Sequence, residues 1–194
     1  DQVRGRVPVV INTGAPSNVA AVQYSRQAEE QGANAVMTVP PECSAEGKKA
    51  YFTAISNAVS IPVFVQEAGA WVLGGALLLE VAEMCERVRY AKVESGPPET
   101  IREAVNACAG LVTVFGGAGG THLIEELRRG SQGTMPWASQ PDAFVRVWDH
   151  WEAGEEEEAT RVWEEQINPV LRLGDFVHKD ILHRRGVIAS PRWR

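Results

Sequence analysis

The feature that most constrains this chain is a regular alternation of short strand-like runs with longer helical patterns. Strands are expected at 7–12, 35–40, 61–66, 88–93, 111–115 and 132–136, with helices near 17–32, 46–59, 76–86, 97–109 and 119–130. Strands that alternate with helices at this spacing pair in parallel through right-handed crossovers. The first helix opens on Ser17 as N-cap, turns Val19, Val22 and Ala28 toward a core, and stops at Gly32. Pro97 and Pro98 suit the first turn of the fourth helix. Six such units fit a doubly wound sheet or a (β/α)8 barrel. The barrel fits better if strands are missing, because eight units take ~250 residues and the chain has 194.

Beyond Pro141 the strands stop. Phe144, Val147, Trp148 and Trp151 have helical spacing, and Glu155 to Glu158 read as a solvated face opening the next helix, where carboxylates favour the positive N-terminus. Asp175 to Arg185 reads as a last helix closed by Gly186. The chain thus divides into barrel units over 1–140 and C-terminal helices over 141–194. His178 and His183 are five apart, not the i,i+4 of a helical metal pair, and HExxH is absent, so no metal is expected.

Composition narrows the partners. A hydrophobic content of 44% and a charged content of 23% are ordinary for a globular protein able to bury a real core. The net charge of −6 argues against nucleic acid or an anionic membrane as partner. Cys43, Cys85 and Cys108 lack CxxC spacing and read as free thiols of a reducing compartment. No apolar run approaches the ~20 residues of a membrane span, and Asp1-Gln2-Val3-Arg4 lacks a signal-peptide profile, so a cytoplasmic location is expected.

Lys92 carries the chemistry. It lies in Val88-Arg89-Tyr90-Ala91-Lys92-Val93-Glu94, inside a strand, where its ammonium must be desolvated or lose its charge. The usual reason for such a lysine is a nucleophilic amine that forms a Schiff base with a carbonyl. Lys48 and Lys49 sit in a polar helix start and Lys179 in a charged helical segment, so none of the other three lysines competes for that part.

Two glycine clusters offer another chemistry. Phe115-Gly116-Gly117-Ala118-Gly119-Gly120-Thr121 lies between a strand and a helix, where its amides could cradle an anion. It has neither the Gly-Lys-Ser/Thr of a Walker A motif nor a complete GxGxxG. Gly130-Ser131-Gln132-Gly133-Thr134 leads into the last strand and reads first as a turn, though loops near the end of a barrel also bind phosphate.

The order of these residues resembles the dihydrodipicolinate synthase/N-acetylneuraminate lyase superfamily. Val7 to Ala15, Ala28 to Met37 and Val39-Pro40-Pro41 look like its third and fourth barrel units. Ile61-Pro62-Val63 resembles its fifth strand, and Tyr90-Ala91-Lys92 its sixth, where the family's Schiff-base lysine lies. Phe115-Gly116-Gly117 resembles the substrate-facing loop after the seventh strand, and Gly130 to Met135 the entry to the eighth. The likeness covers nearly the whole chain, and it rests on order and spacing together.

The resemblance implies a (β/α)8 barrel with a C-terminal helical extension and a class I aldolase-type lyase. Lys92 would attack the ketone of pyruvate or a sugar-derived 2-keto acid, and no cofactor is expected. Strand periodicity then puts Val88, Tyr90, Lys92 and Glu94 toward the lumen and Ala91 and Val93 toward the helices. Glu94, Phe115, Gly116 and Gly117 would contact substrate. A structural lysine paired with Glu94 is the alternative, as is a non-catalytic barrel or one that binds a phosphorylated small molecule. The fifth strand's usual tyrosine is replaced by Gln66, followed by Glu67, so Glu67, a nearby group or water must carry protons. Trp71 or a neighbour stands in for the arginine of the lysine-biosynthesis enzymes, and Glu42 and Cys43 for the tyrosine after Pro-Pro. These changes point away from dihydrodipicolinate synthesis and from the sialic-acid enzyme, toward a dehydratase or aldolase on sugar-derived 2-keto acids. The first two βα units have no counterpart here, and the stretches near 67–77 and 171–175 look short, so a longer natural protein is expected. A homo-oligomer, dimer or tetramer, is implied by the family alone.

Overall fold

The computed structural model describes residues 3–69 and 72–193. Six strands, β1 (Val10–Asn12), β2 (Ala35–Thr38), β3 (Val63–Glu67), β4 (Val88–Val93), β5 (Thr113–Gly119) and β6 (Thr134–Pro136), form one parallel sheet in chain order. The crossovers hold α1 (Asn18–Glu30), α2 (Ala45–Ser56), α3 (Gly74–Met84), α4 (Glu99–Cys108) and α5 (Leu123–Arg128). Crossovers of one hand between strands in sequential order put every helix on the same face. A doubly wound sheet reverses its strand order at a switch point, and no reversal occurs here. The sheet therefore curls into part of a barrel, with helices outside.

The outer layer is the main core. Val36, Val63, Val65, Val88, Ala91 and Val114 from the strands pack with Tyr51, Phe52 and Ile55 of α2, Leu78 and Val81 of α3, and Ile101 of α4. Each such large side chain, fully buried, stabilises the fold by about 1.5–3 kcal/mol. The lumen face carries a separate aromatic layer. Phe64 and Tyr90 stack at 4.5 Å between ring centroids, and Phe115 leans on both at 5.9 and 6.2 Å.

Several expectations are corrected. Val88 belongs to the helix-facing core, not the lumen, because the β3–β4 register slips by one residue: Val63 pairs Val88, but Phe64 pairs Tyr90. The extra residue, Arg89, resets the alternation, so Tyr90 and Lys92 still face inward. On α1 the buried stripe is Ala21, Ser25 and Ala28, whereas Val19 is exposed. Small residues there let the helix lie close to the sheet. The strand ending near 115 instead runs to Gly119, and the helix expected over 119–130 shrinks to Leu123–Arg128. Ser17 does cap α1, accepting the Ala20 N–H.

The C-terminal segment folds as α6 (Pro141–Glu152), α7 (Glu156–Val162), a π-helical turn (Trp163–Ile167), α8 (Asn168–Leu171) and α9 (Phe176–Arg184). Val147, Ala159, Val162 and Ile167 form a second apolar cluster with Leu123, Ile124 and Leu127 of α5, which seats these helices on the end of the sheet. Glu156 to Glu158 occupy the first turn of α7. Among the described residues β1 pairs only with β2 and β6 only with β5. No helix of the described residues is long and apolar enough to cross a membrane.

Candidate active site

Lys92 lies near the C-terminal end of β4, the end at which barrel loops gather. Its side chain is 12% exposed, and its Nζ stands 2.8 Å from Glu94 Oε2. Glu94 is held from three directions. Lys92 is the first, the Ala118 N–H donates to Oε2 at 2.9 Å, and Gln66 Nε2 donates to Oε1 at 2.7 Å. Gln66 is oriented in turn by Asn12, whose Nδ2 donates to Gln66 Oε1 at 3.2 Å while its Oδ1 accepts the Gly14 N–H. A hydrogen-bonded chain thus crosses the lumen from β1 through β3 to β4 and β5.

Electrostatics follow from this cage. Burial pushes the Glu94 carboxyl up, but the hydrogen bonds from Lys92, Ala118 and Gln66 outweigh it and hold the group below the usual carboxylate range. Glu94 is therefore an anion at neutral pH, and a hydrogen-bond acceptor for whatever sits beside Lys92.

Gly117 is required by closeness. A Cβ there would come within 2.5 Å of Glu94 Oε2 and 2.8 Å of Lys92 Cε. Gly116 faces the opposite way, onto α5, where a Cβ would overlap the Glu126 carboxylate. Phe115 contributes to the aromatic floor beneath the polar layer. Of the residues expected to meet substrate, Glu94 and Gly117 adjoin Lys92, Phe115 lies below, and Gly116 is turned away.

Glu67 does not join the group. Alternation along β3 sends it to the face opposite Gln66, and its Oε1 accepts the N–H groups of Leu73 and Gly74, both at 2.9 Å, at the start of α3. It is 3% exposed. Both backbone donors at the start of α3 are satisfied by the carboxylate where it lies. Trp71 lies outside the described residues. Glu42 and Cys43 are exposed ahead of α2.

Four amides of the first glycine cluster, where an anion cradle is expected, are spent within the protein. The amide of Gly116 goes to Gly133 O, that of Ala118 to Glu94, that of Gly120 to Gly117 O and that of Thr121 to Ala118 O. Those donors are taken within the protein. Among the described residues no group of three or more His, Cys, Asp or Glu is arranged to hold a metal ion. Lys49 is tied at 2.7 Å to both Glu46 and Glu80 on the helical layer.

Asn12 was legible only as the end of a strand, and the Ala118 amide carries no sequence signal. An asparagine before Thr13-Gly14 could have been noticed, because its Oδ1 accepts the N–H two residues on, as asparagines do in turns.

Comparison with known proteins places this geometry. The family model described as "Dihydrodipicolinate synthetase family" matches residues 1–178. The L-2-keto-3-deoxyarabonate dehydratase of Azospirillum brasilense is 29% identical over 208 residues, covering 100% of this chain and 67% of that protein. The probable 5-dehydro-4-deoxyglucarate dehydratase of Leptothrix cholodnii is 37% identical over 103 residues, covering 52% of this chain and 34% of its own. Among solved structures, YagE of E. coli K12, a prophage protein of the dihydrodipicolinic acid synthase family solved in complex with pyruvate, superposes with a TM-score of 0.89 at 23% identity, over 100% of this chain and 70% of that one. The dihydrodipicolinate synthase of Aquifex aeolicus does so with a TM-score of 0.89 at 18% identity, over 100% and 69%. At these identities the structural likeness shows the fold, and the chain spans about two thirds of those molecules. The alternation of units, the inward lysine and the match over most of the length agree: this chain belongs to the dihydrodipicolinate synthetase family.

Proposed function

We propose that this chain carries the reactive centre of a Schiff-base lyase, a dehydratase or aldolase acting on a sugar-derived 2-keto acid. The observation that carries the reading is Lys92, on the lumen face near the C-terminal end of β4, against an ionised carboxylate. Attack of its neutral amine on the C2 ketone forms a carbinolamine, and loss of water leaves an iminium. That cation acts as an electron sink for removal of a C3 proton or for cleavage of the adjacent carbon–carbon bond. Glu94, in contact with Nζ, is positioned to take and return the protons that imine formation moves. Gln66 cannot act as acid or base. It orients Glu94 and offers amide groups to substrate hydroxyls.

Two lines favour dehydration of a hydroxylated acid. The relative that matches along all of this chain is named L-2-keto-3-deoxyarabonate dehydratase, and a second is named probable 5-dehydro-4-deoxyglucarate dehydratase. The polar row Asn12, Gln66 and Glu94 is built from amides and a carboxylate, groups that suit hydroxyls better than a second substrate carboxylate. Assembly into a homo-oligomer is part of the same reading.

The test is incubation with pyruvate and then a panel of 3-deoxy-2-keto sugar acids, each with borohydride, read by intact mass and peptide mapping. A stable adduct on the peptide bearing Lys92, absent in Lys92→Ala, is the expected result. A folded protein that gives no adduct with any 2-keto acid would overturn the reading.

A further inference from the structure

Glu126 is a buried carboxyl group for which the reading above has no use. It lies on α5 and is 3% exposed, and its Oε2 has no hydrogen-bond partner among the described residues. An ordinary helix–sheet contact here would be apolar, as Leu123, Ile124 and Leu127 around it are. Instead the carboxyl group presses on Gly116, leaving no room for a Cβ, and the neighbouring Gly117 N–H favours its charged form against the burial. Successive residues of a strand face opposite ways. Gly116 therefore meets Glu126 behind β5, while Gly117 meets Glu94 and Lys92 in front. A single glycine peptide separates the two carboxyl groups.

We propose that Glu126 is a positioning residue for the Lys92–Glu94 pair, holding the Gly116–Gly117 backbone from behind so that the next amide, that of Ala118, meets Glu94. The front of the strand then senses the charge behind it. Burial pushes the Glu126 carboxyl up to about 7, the Gly117 N–H opposing and the charge of Glu94 adding to the rise. Below that pH a neutral acid lies behind the strand. Above it a second negative charge stands behind the strand whose front holds Glu94. Few other charges intervene. Glu125, Arg128 and Arg129 on the same helix are drawn outward into ion pairs with one another, with Glu99 of α4 and with Glu156 of α7. Arg102 of α4 donates to the Arg128 carbonyl.

The consequence for reactivity rests on the proposed role of Lys92, but the primary test needs no substrate. Carboxyl carbons of the 13C-glutamate-labelled protein are followed by NMR from acid to pH 9, in the wild type and in Glu126→Gln, which keeps an acceptor for the Gly117 N–H. The Glu94 signal should show, besides its own acid transition, a second inflection coincident with titration of Glu126, and Glu126→Gln should lack it. A Glu94 signal in the wild type with no step where Glu126 titrates would overturn the proposal, whether or not the variant folds. Borohydride trapping with pyruvate is the second arm. Glu126→Gln should match the wild type near pH 6 and exceed it above pH 8 by about three- to tenfold, because the second negative charge behind the strand is then absent. Equal rates at both pH values would likewise overturn it. If the wild type traps no keto acid at all, the lyase reading falls while the NMR result still decides the role of Glu126.

Discussion

Lys92 Nζ and Glu94 Oε2 stand 2.8 Å apart, each side chain less than one-fifth exposed, so the amine and its counter-ion form one largely buried unit. Such a pair is weak evidence of stability in itself, but breaking it strands a charge. Glu94→Gln keeps the shape and removes the charge. It should lower stability by about 1–3 kcal/mol, read as a lower urea midpoint at unchanged slope. It should also change the rate of pyruvate trapping, since the carboxylate in contact with Nζ is gone. An unchanged urea midpoint together with an unchanged trapping rate would mean that the pair is solvated and idle.

Gly117→Ala tests closeness rather than charge. The new methyl group falls 2.5 Å from Glu94 Oε2 and 2.8 Å from Lys92 Cε, so both side chains must move. Misplacement of reacting groups by about an ångström costs on the order of 10²-fold in rate. Trapping should fall by that order while the circular dichroism spectrum stays native. Retained trapping would show that the lumen is wider than these distances allow.

What the sequence revealed, and what it hid, follows from how local each signal is. Hydrophobic runs and helical periods are local, so β4 was legible residue for residue over Val88–Val93. The slip between Val63 and Phe64 is not local, because it is set by how β3 meets β4, and it alone moved Val88 to the other face. Gln66 and Glu67 are adjacent and both polar. Only the position of the α3 N-terminus decides that one faces the lumen and the other caps a helix. Glu126 was hidden for a similar reason: beside Glu125 in a charged stretch it reads as surface, until α5 is docked against Gly116.

Glu67→Ala should therefore damage the fold and spare the chemistry. Its Oε1 satisfies two backbone donors ahead of α3, and loss of such a cap costs about 0.5–2 kcal/mol. Glu67→Gln retains an acceptor oxygen and should lose less. Chemical denaturation ranks the three proteins, and trapping per folded molecule should be equal in all. A fall of roughly 10²–10⁴-fold in Glu67→Gln, the size expected for a general acid–base group, would return Glu67 to the proton path.

His178 ties α9 to the barrel. Its Nδ1 lies 2.8 Å from Ser139 Oγ, and its ring stacks on Trp137 at 4.6 Å between centroids. Burial pushes the imidazole below its usual value, with Asp175 opposing. The folded state thus prefers the neutral ring, and the unfolded chain binds more protons once the pH drops below the ordinary histidine value. This contribution is fully present above about pH 6.5 and is lost as the pH falls through the depressed folded value. Urea midpoints of the wild type should decline over that interval more steeply than those of His178→Gln. Parallel curves would remove His178 as the cause.

Glu126 acts with the opposite sign in an overlapping window. Its folded carboxyl titrates at about 7 against an ordinary value of 4.5, so between those values the folded state holds the extra proton. Stability from this group is greatest below pH 4.5, falls as the pH rises toward 7, and is constant above. The loss integrates to about 3 kcal/mol at 1.36 kcal/mol per unit, which is measurable in a domain whose total stability is about 5–15 kcal/mol. Glu126→Gln carries no titrating proton, so it should lose this decline, keep the opposite slope of His178, and be more stable than the wild type near pH 8. Combining it with His178→Gln separates the two effects, since each variant removes one slope and leaves the other. If Glu126→Gln falls with pH as steeply as the wild type, the carboxyl group is not holding its proton behind β5.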